Sequence, residues 1–122
     1  MQRAVVLSLS VLFFVLVVSP AWAVTIEEEE IATFTSPCTL SLSQSGSVRT
    51  LSWSAVSGAN SYKVGYRIGG TITGLAELTG TSYEHTGWNP NECMEYVLVA
   101  YDSGSNKVCA AHVENVGANC MQ

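Results

Sequence analysis

Basic residues are scarce in this chain. Five lysines and arginines stand against ten aspartates and glutamates in 122 residues, for a formal net charge of −5 at pH 7. Gripping phosphates takes clustered Lys and Arg, so the composition argues against nucleic acid as a partner. It is also a poor match for anionic membrane surfaces. Histidine is almost absent, with only His85 and His112. No serine lies in a G-x-S-x-G setting, and no phosphate loop or dinucleotide fingerprint occurs. The sequence also lacks an Asn-x-Ser/Thr acceptor. Taken together, these gaps predict a non-enzymatic protein with no cofactor and no metal site.

What is present begins with an apolar run. Arg3 carries a positive charge, residues 4–18 are apolar except for Ser8 and Ser10, and Ser19-Pro20 breaks the run before Ala21-Trp22-Ala23. This order of charged start, apolar stretch and small-x-small site is that of a secretory signal peptide, residues 1–23, cleaved after Ala23. A membrane anchor is the rival reading. The run is short of the roughly 20 residues a spanning helix needs, and glutamates follow it rather than a basic stop signal. The mature chain is expected to be secreted, extracellular or periplasmic, with no membrane association. Loss of Arg3 leaves Arg49, Lys63, Arg67 and Lys107 against the ten acids, which takes the net charge from −5 to −6.

All four cysteines, Cys38, Cys93, Cys109 and Cys120, lie beyond that segment. An even count in a short exported chain reads as a disulfide framework, with three possible connectivities. A zinc site would ask for close C-x₂-C pairs, and the smallest gap here is eleven residues. Residues 24–36 open with Glu27-Glu28-Glu29-Glu30. Four adjacent like charges repel one another, so this stretch is expected to be a solvated acidic arm.

From residue 37 to 122 the pattern changes to period two, punctuated by Gly, Ser, Asn and Thr. It predicts strands over 38–44, 47–55, 61–68, 71–78, 81–86, 94–101 and 107–116. Side chains two apart share a face. Leu51 and Trp53 therefore form one core stripe, Tyr62, Val64, Tyr66 and Ile68 a second, and Met94, Tyr96, Leu98 and Ala100 a third. Seven short strands at this spacing predict an all-β, immunoglobulin-like sandwich.

At this point the sequence resembles the fibronectin type III family in its exported bacterial style. The resemblance rests on Leu51-Ser52-Trp53-Ser54-Ala55, on Tyr62 and Tyr66 of a Tyr-x-x-x-Tyr strand, on Thr81 to Pro90, and on the run from Met94 to Asp102. It covers about residues 39–116. Two positions depart from the family: Trp88 replaces the usual Leu of the turn before the sixth strand, and Met94 falls where the corner Tyr stands. A two-residue insertion would instead return Tyr96 to that corner, but Ala100 and Asp102 fit the first alignment. The resemblance implies the pairing Cys38–Cys109 at one end and Cys93–Cys120 at the other, and a bridge at Cys93 could replace what the corner bond fixed. It also places His85 at an apolar, core-facing position. His85 and His112 fall in different sheets, which leaves no shared metal site. Glu84 and Glu114 lie near them, and adjacent strand residues face opposite ways, so neither Glu is expected to pair with its histidine.

Family members act chiefly as spacers or as contacts for proteins and carbohydrates. The resemblance therefore implies a secreted binding module for an extracellular or periplasmic protein or glycan. Its contacts are expected on the loops 56–60 and 102–106, from Asn60, Tyr101, Asp102, Ser103 and Asn106. The alternative is a secreted effector or inhibitor that blocks a target enzyme with a disulfide-rigid loop.

Overall fold

The alternating stretches fold as seven strands in a computed structural model that describes residues 24–120. The predicted signal peptide, residues 1–23, lies outside the described residues. The strands are β1 (Ser41–Ser45), β2 (Val48–Ser52), β3 (Ser61–Ile68), β4 (Thr71–Leu78), β5 (Ser82–His85), β6 (Met94–Tyr101) and β7 (Lys107–Val116). One sheet has the order β1-β2-β5 and the other β4-β3-β6-β7, and every neighbouring pair is antiparallel. Trp53 lies one residue past the end of β2, and its backbone N–H reaches the Thr81 carbonyl at 3.0 Å.

The predicted stripes meet between the sheets. Leu51, Trp53, Tyr62, Val64, Met94, Tyr96, Leu98 and Ala100 are all buried in one cluster. Trp53 packs at 5.6 Å from Tyr62, but its buried indole N–H has no hydrogen-bond partner among the described residues. Both disulfides are present in the implied pairing: Cys38–Cys109, with a Cα separation of 5.6 Å, and Cys93–Cys120, at 4.8 Å. Each closed loop contributes roughly 2–4 kcal/mol by restricting the unfolded chain.

The acidic stretch departs from expectation. It forms a short 3-10 turn, Glu28–Ile31, and lies on the outer face of the four-stranded sheet. Ile26 and Ile31 are buried there with Val97, Val99, Tyr101 and Ala110 in a second apolar cluster. β6 is thus covered on both faces, which explains its unbroken run Tyr96-Val97-Leu98-Val99-Ala100-Tyr101. Like-charge repulsion does not hold the stretch in solvent because the strip is amphipathic: Glu27, Glu28 and Glu29 stay exposed while Ile26 and Ile31 point inward. Fully burying each isoleucine contributes roughly 1.5–3 kcal/mol.

Two glycines make room for this layer. Gly65 of β3 and Gly74 of β4 are register partners. A Cβ on Gly74 would stand 2.0 Å from the Val24 carbonyl oxygen, and one on Gly65 would stand 2.9 Å from Ile26 Cδ1. A glycine within a strand marks a close approach of another backbone: the arm's at Gly74, and that of Thr73 in β4, together with the Ile26 side chain, at Gly65. The basic residues tie it down. Lys63 Nζ donates to the Thr25 carbonyl at 3.0 Å, Lys107 Nζ to the Thr33 carbonyl at 3.1 Å, and Arg67 pairs with Glu28 at 2.8 Å.

Candidate functional site

The loops expected to make contacts sit together at one end of the sandwich. The Asn60 N–H donates to the Tyr101 carbonyl at 2.6 Å, which joins the 56–60 loop to the β6–β7 hairpin. Within that hairpin Asp102 Oδ1 accepts from the N–H of Gly104 and of Asn106, both at 2.9 Å. These bonds, Asn106 foremost, hold the Asp102 carboxyl below the usual carboxylate range. Asn60, Ser103 and Asn106 are exposed. The Cys38–Cys109 bridge lies close by, since Cys109 is the register partner of Ala100.

Tyr101 corrects the expectation placed on it. It is only 5% exposed, because its odd-numbered position faces the outer side of the sheet and the arm covers it. Its hydroxyl donates to Glu30 Oε2 at 2.5 Å, and Lys63 Nζ lies 4.9 Å from its ring centroid. Burial, followed by the bond to Glu30, pushes the phenol far above its ordinary range. Tyr101 is therefore an anchor for the arm. Its edge still lines a shallow pocket of about 250 Å³ with Glu30, Lys63, Glu77 and Ser105.

A second cluster lies in the core, and only part of it was anticipated. Arg49 is 2% exposed, and the groups that hold it are neutral. Its Nη1 reaches Tyr96 Oη at 3.2 Å and Met94 Sδ at 3.5 Å, its Nε reaches Gln44 Oε1 at 3.3 Å, and its guanidinium lies 3.7 Å from the Trp88 ring centroid. Both departures from the family pattern, Trp88 and Met94, therefore touch the same buried cation. Tyr96 Oη also stands 2.6 Å from His85 Nδ1. Arg49 donates to that oxygen, and in the neutral His85 tautomer protonated at Nε2, Nδ1 accepts the Tyr96 hydroxyl proton. Burial and then the Arg49 charge lower the His85 pKa from its ordinary value, in keeping with that role. The Tyr96 hydroxyl thus bonds side chains within the core, while the Trp88 indole N–H ties the turn to the His85 carbonyl at 3.1 Å. The signal for Arg49 was its parity with Leu51 of β2 and with Trp53 just beyond it.

The third cluster is on the outer surface. His112 Nδ1 lies 2.5 Å from Glu95 Oε2 and 3.3 Å from Glu114 Oε2. This corrects the expectation for Glu114: it stands two residues from His112, and the pleat returns it to the same face. Glu84 belongs to β5 and His112 to β7, and the two histidines do lie in different sheets. Arg67 donates to Glu95 Oε1 from Nε at 3.1 Å and from Nη2 at 2.9 Å, and these bonds raise the pKa of the guanidinium. Phe34 of the arm stacks on the His112 ring with centroids 3.9 Å apart and planes 6° apart.

Sheets of three and four antiparallel strands facing one another across a shared core define an immunoglobulin-like β-sandwich. No protein-family model matches the chain, and neither does any curated protein. Among solved structures, an Fn3-like protein from Clostridium thermocellum is 30% identical, with 70% of this chain and 94% of that chain covered and a TM-score of 0.50. The chain belongs to this fibronectin type III-like family. Similar folds occur in a pectate lyase from Erwinia chrysanthemi solved with tetragalacturonic acid (20% identity, TM-score 0.55, 62% of this chain) and in a pectate lyase from Pectobacterium carotovorum (17% identity, TM-score 0.52, 70% of this chain). The chain spans 27% and 28% of those two proteins, and the likeness is one of fold. Two disulfides are consistent with an extracellular setting. Among the described residues no helix is long and apolar enough to cross a membrane.

Proposed function

We propose that this protein is a secreted, non-enzymatic interaction module that contacts an extracellular or periplasmic protein or glycan through the loop end around Asn60, Ser103 and Asn106. The observation that carries the reading is the internal completion of that end. The 56–60 loop and the 102–106 hairpin are bonded to each other and to themselves. Exposed polar side chains on a backbone that is already fixed lose little freedom on binding. The four basic residues at 24–120 are engaged with the arm or the core, so a nucleic acid has no basic patch to grip. Cleavage after Ala23 would leave Val24, the residue seated against Gly74, as the first residue of the mature chain.

The test is a glycan array, with tetragalacturonic acid among its members, run beside crosslinking capture from the native extracellular fluid. A partner whose binding is abolished by Asn60→Arg and Ser103→Arg, with near-ultraviolet dichroism unchanged, supports the reading. Turnover of generic ester or glycoside substrates by the purified protein, with no partner found, overturns it. The Cys38–Cys109 bridge beside the 102–106 hairpin favours a second reading, an inhibitor that presents a rigid loop to a target enzyme. Stoichiometric inhibition of a captured hydrolase, lost in Ser103→Arg, distinguishes it from simple adhesion.

A further inference from the structure

We propose that Glu95, His112 and Glu114 form a binding site for a divalent cation of the zinc class on the outer face of the four-stranded sheet. One donor atom from each of the three residues lies within 4.8 Å of the others, and His112 Nδ1 faces both Glu95 Oε2 and Glu114 Oε2. Metal–ligand bonds of about 2.0–2.2 Å in a tetrahedral site place ligands roughly 3.3 Å apart. The His112–Glu114 separation already has that value, at 3.3 Å. The His112–Glu95 separation of 2.5 Å would widen by roughly 0.8 Å to admit a metal ion.

The ligands are held from outside the site. Phe34 fixes the plane of the His112 ring. Arg67 occupies Glu95 Oε1 and leaves Oε2 to face the histidine, which is the arrangement in which outer partners orient a metal-binding carboxylate. Charge points the same way. The three carboxylates of Glu28, Glu95 and Glu114 gather around one arginine, Arg67, and His112. A pocket of about 200 Å³ adjoins the two carboxylates, lined by Glu95 and Glu114 but not by His112. One imidazole with two carboxylates suits zinc better than calcium or magnesium, which ask for six or more oxygens. The inference stands apart from the binding-module reading, since the residues lie on a sheet face and not on the proposed contact loops.

Isothermal titration of the purified, tag-free protein with zinc chloride tests the proposal, with calcium and magnesium chloride titrated separately. Saturable one-to-one zinc binding is expected, with neither of the other ions binding at the same concentrations. His112→Gln and Glu114→Gln should each weaken it by at least about tenfold. Glu114 is exposed, so its variant reports on the site even if the His112 variant is misfolded. Zinc should also shift the His112 ring resonances in the NMR spectrum of the native protein. Absence of saturable zinc binding, or zinc affinity undiminished in a folded His112→Gln or Glu114→Gln, overturns the proposal.

Discussion

His85 gives the domain a pH dependence whose sign follows from its surroundings. Burial first, and the nearby Arg49 charge second, hold its imidazole below the ordinary value of 6.5. In the unfolded chain the group returns to about 6.5. Between the folded-state pKa and about 6.5, the unfolded chain takes up a proton that the folded chain refuses. Lowering the pH through that window destabilises the fold, by up to about 1.4 kcal/mol for each pH unit. The effect vanishes at pH values above the window and is complete below the folded-state pKa. For a domain of this size, each kcal/mol corresponds to about 4–8 °C in Tm. Differential scanning calorimetry on wild type and His85→Gln, from about pH 8 to 5.5, isolates this group, because shared carboxylate titrations cancel in the difference. Glutamine keeps a neutral acceptor within reach of the Tyr96 hydroxyl. Wild type should lose stability relative to the variant as the pH falls below about 6.5. Parallel curves across that range would refute the reasoning.

Further outcomes follow from the same packing. Arg49→Met removes a buried cation at similar volume, so stability in urea should stay within about 1–2 kcal/mol of wild type, and the His85 pKa read by NMR should rise. Arg49→Ala, which leaves a void beneath Trp88, should cost about 2–4 kcal/mol. Gly74→Val puts side-chain atoms where the Val24 carbonyl lies. Hydrogen exchange should then accelerate in residues 24–35 and along the outer face, while Leu98 and Val64 keep their protection. Tyr101→Phe deletes the bond to Glu30 and should lower stability by about 1–2 kcal/mol, measured by denaturant titration.

Much of the sandwich was legible because its signal is local. β3, β4, β6 and β7 occupy the residues where alternation predicted them, and the cysteine pairing followed from the register of β6 and β7 that the resemblance supplied. The arm was not legible from its own composition. Four glutamates dominate it, and the two isoleucines that bury it have meaning only opposite Val97, Val99 and the glycine pair of β3 and β4. That pair was no clearer in the sequence, since Gly65 and Gly74 are separated along the chain and become a gap only once β3 and β4 are in register. Arg49 escaped for a related reason: its partner Met94 comes from the facing sheet and Trp88 from the turn after β5, and a charged residue in a strand normally faces water. The Glu95–His112–Glu114 cluster draws on two strands, and Glu95 becomes a neighbour only through their pairing.

The two disulfides also determine what a protease could do to this molecule. One joins residues 38 and 109 and the other joins 93 and 120, so the covalent rings they close overlap. A single cut anywhere from 38 to 120 therefore leaves the two fragments bonded through at least one bridge. Such a nick would show as two bands on a reducing gel and one without reductant. Among the described residues only those before Cys38 lie outside both rings, so the arm is the one described segment that a single cleavage could release. Its release would uncover Val97, Val99 and Tyr101, turning a buried face of the sheet into surface.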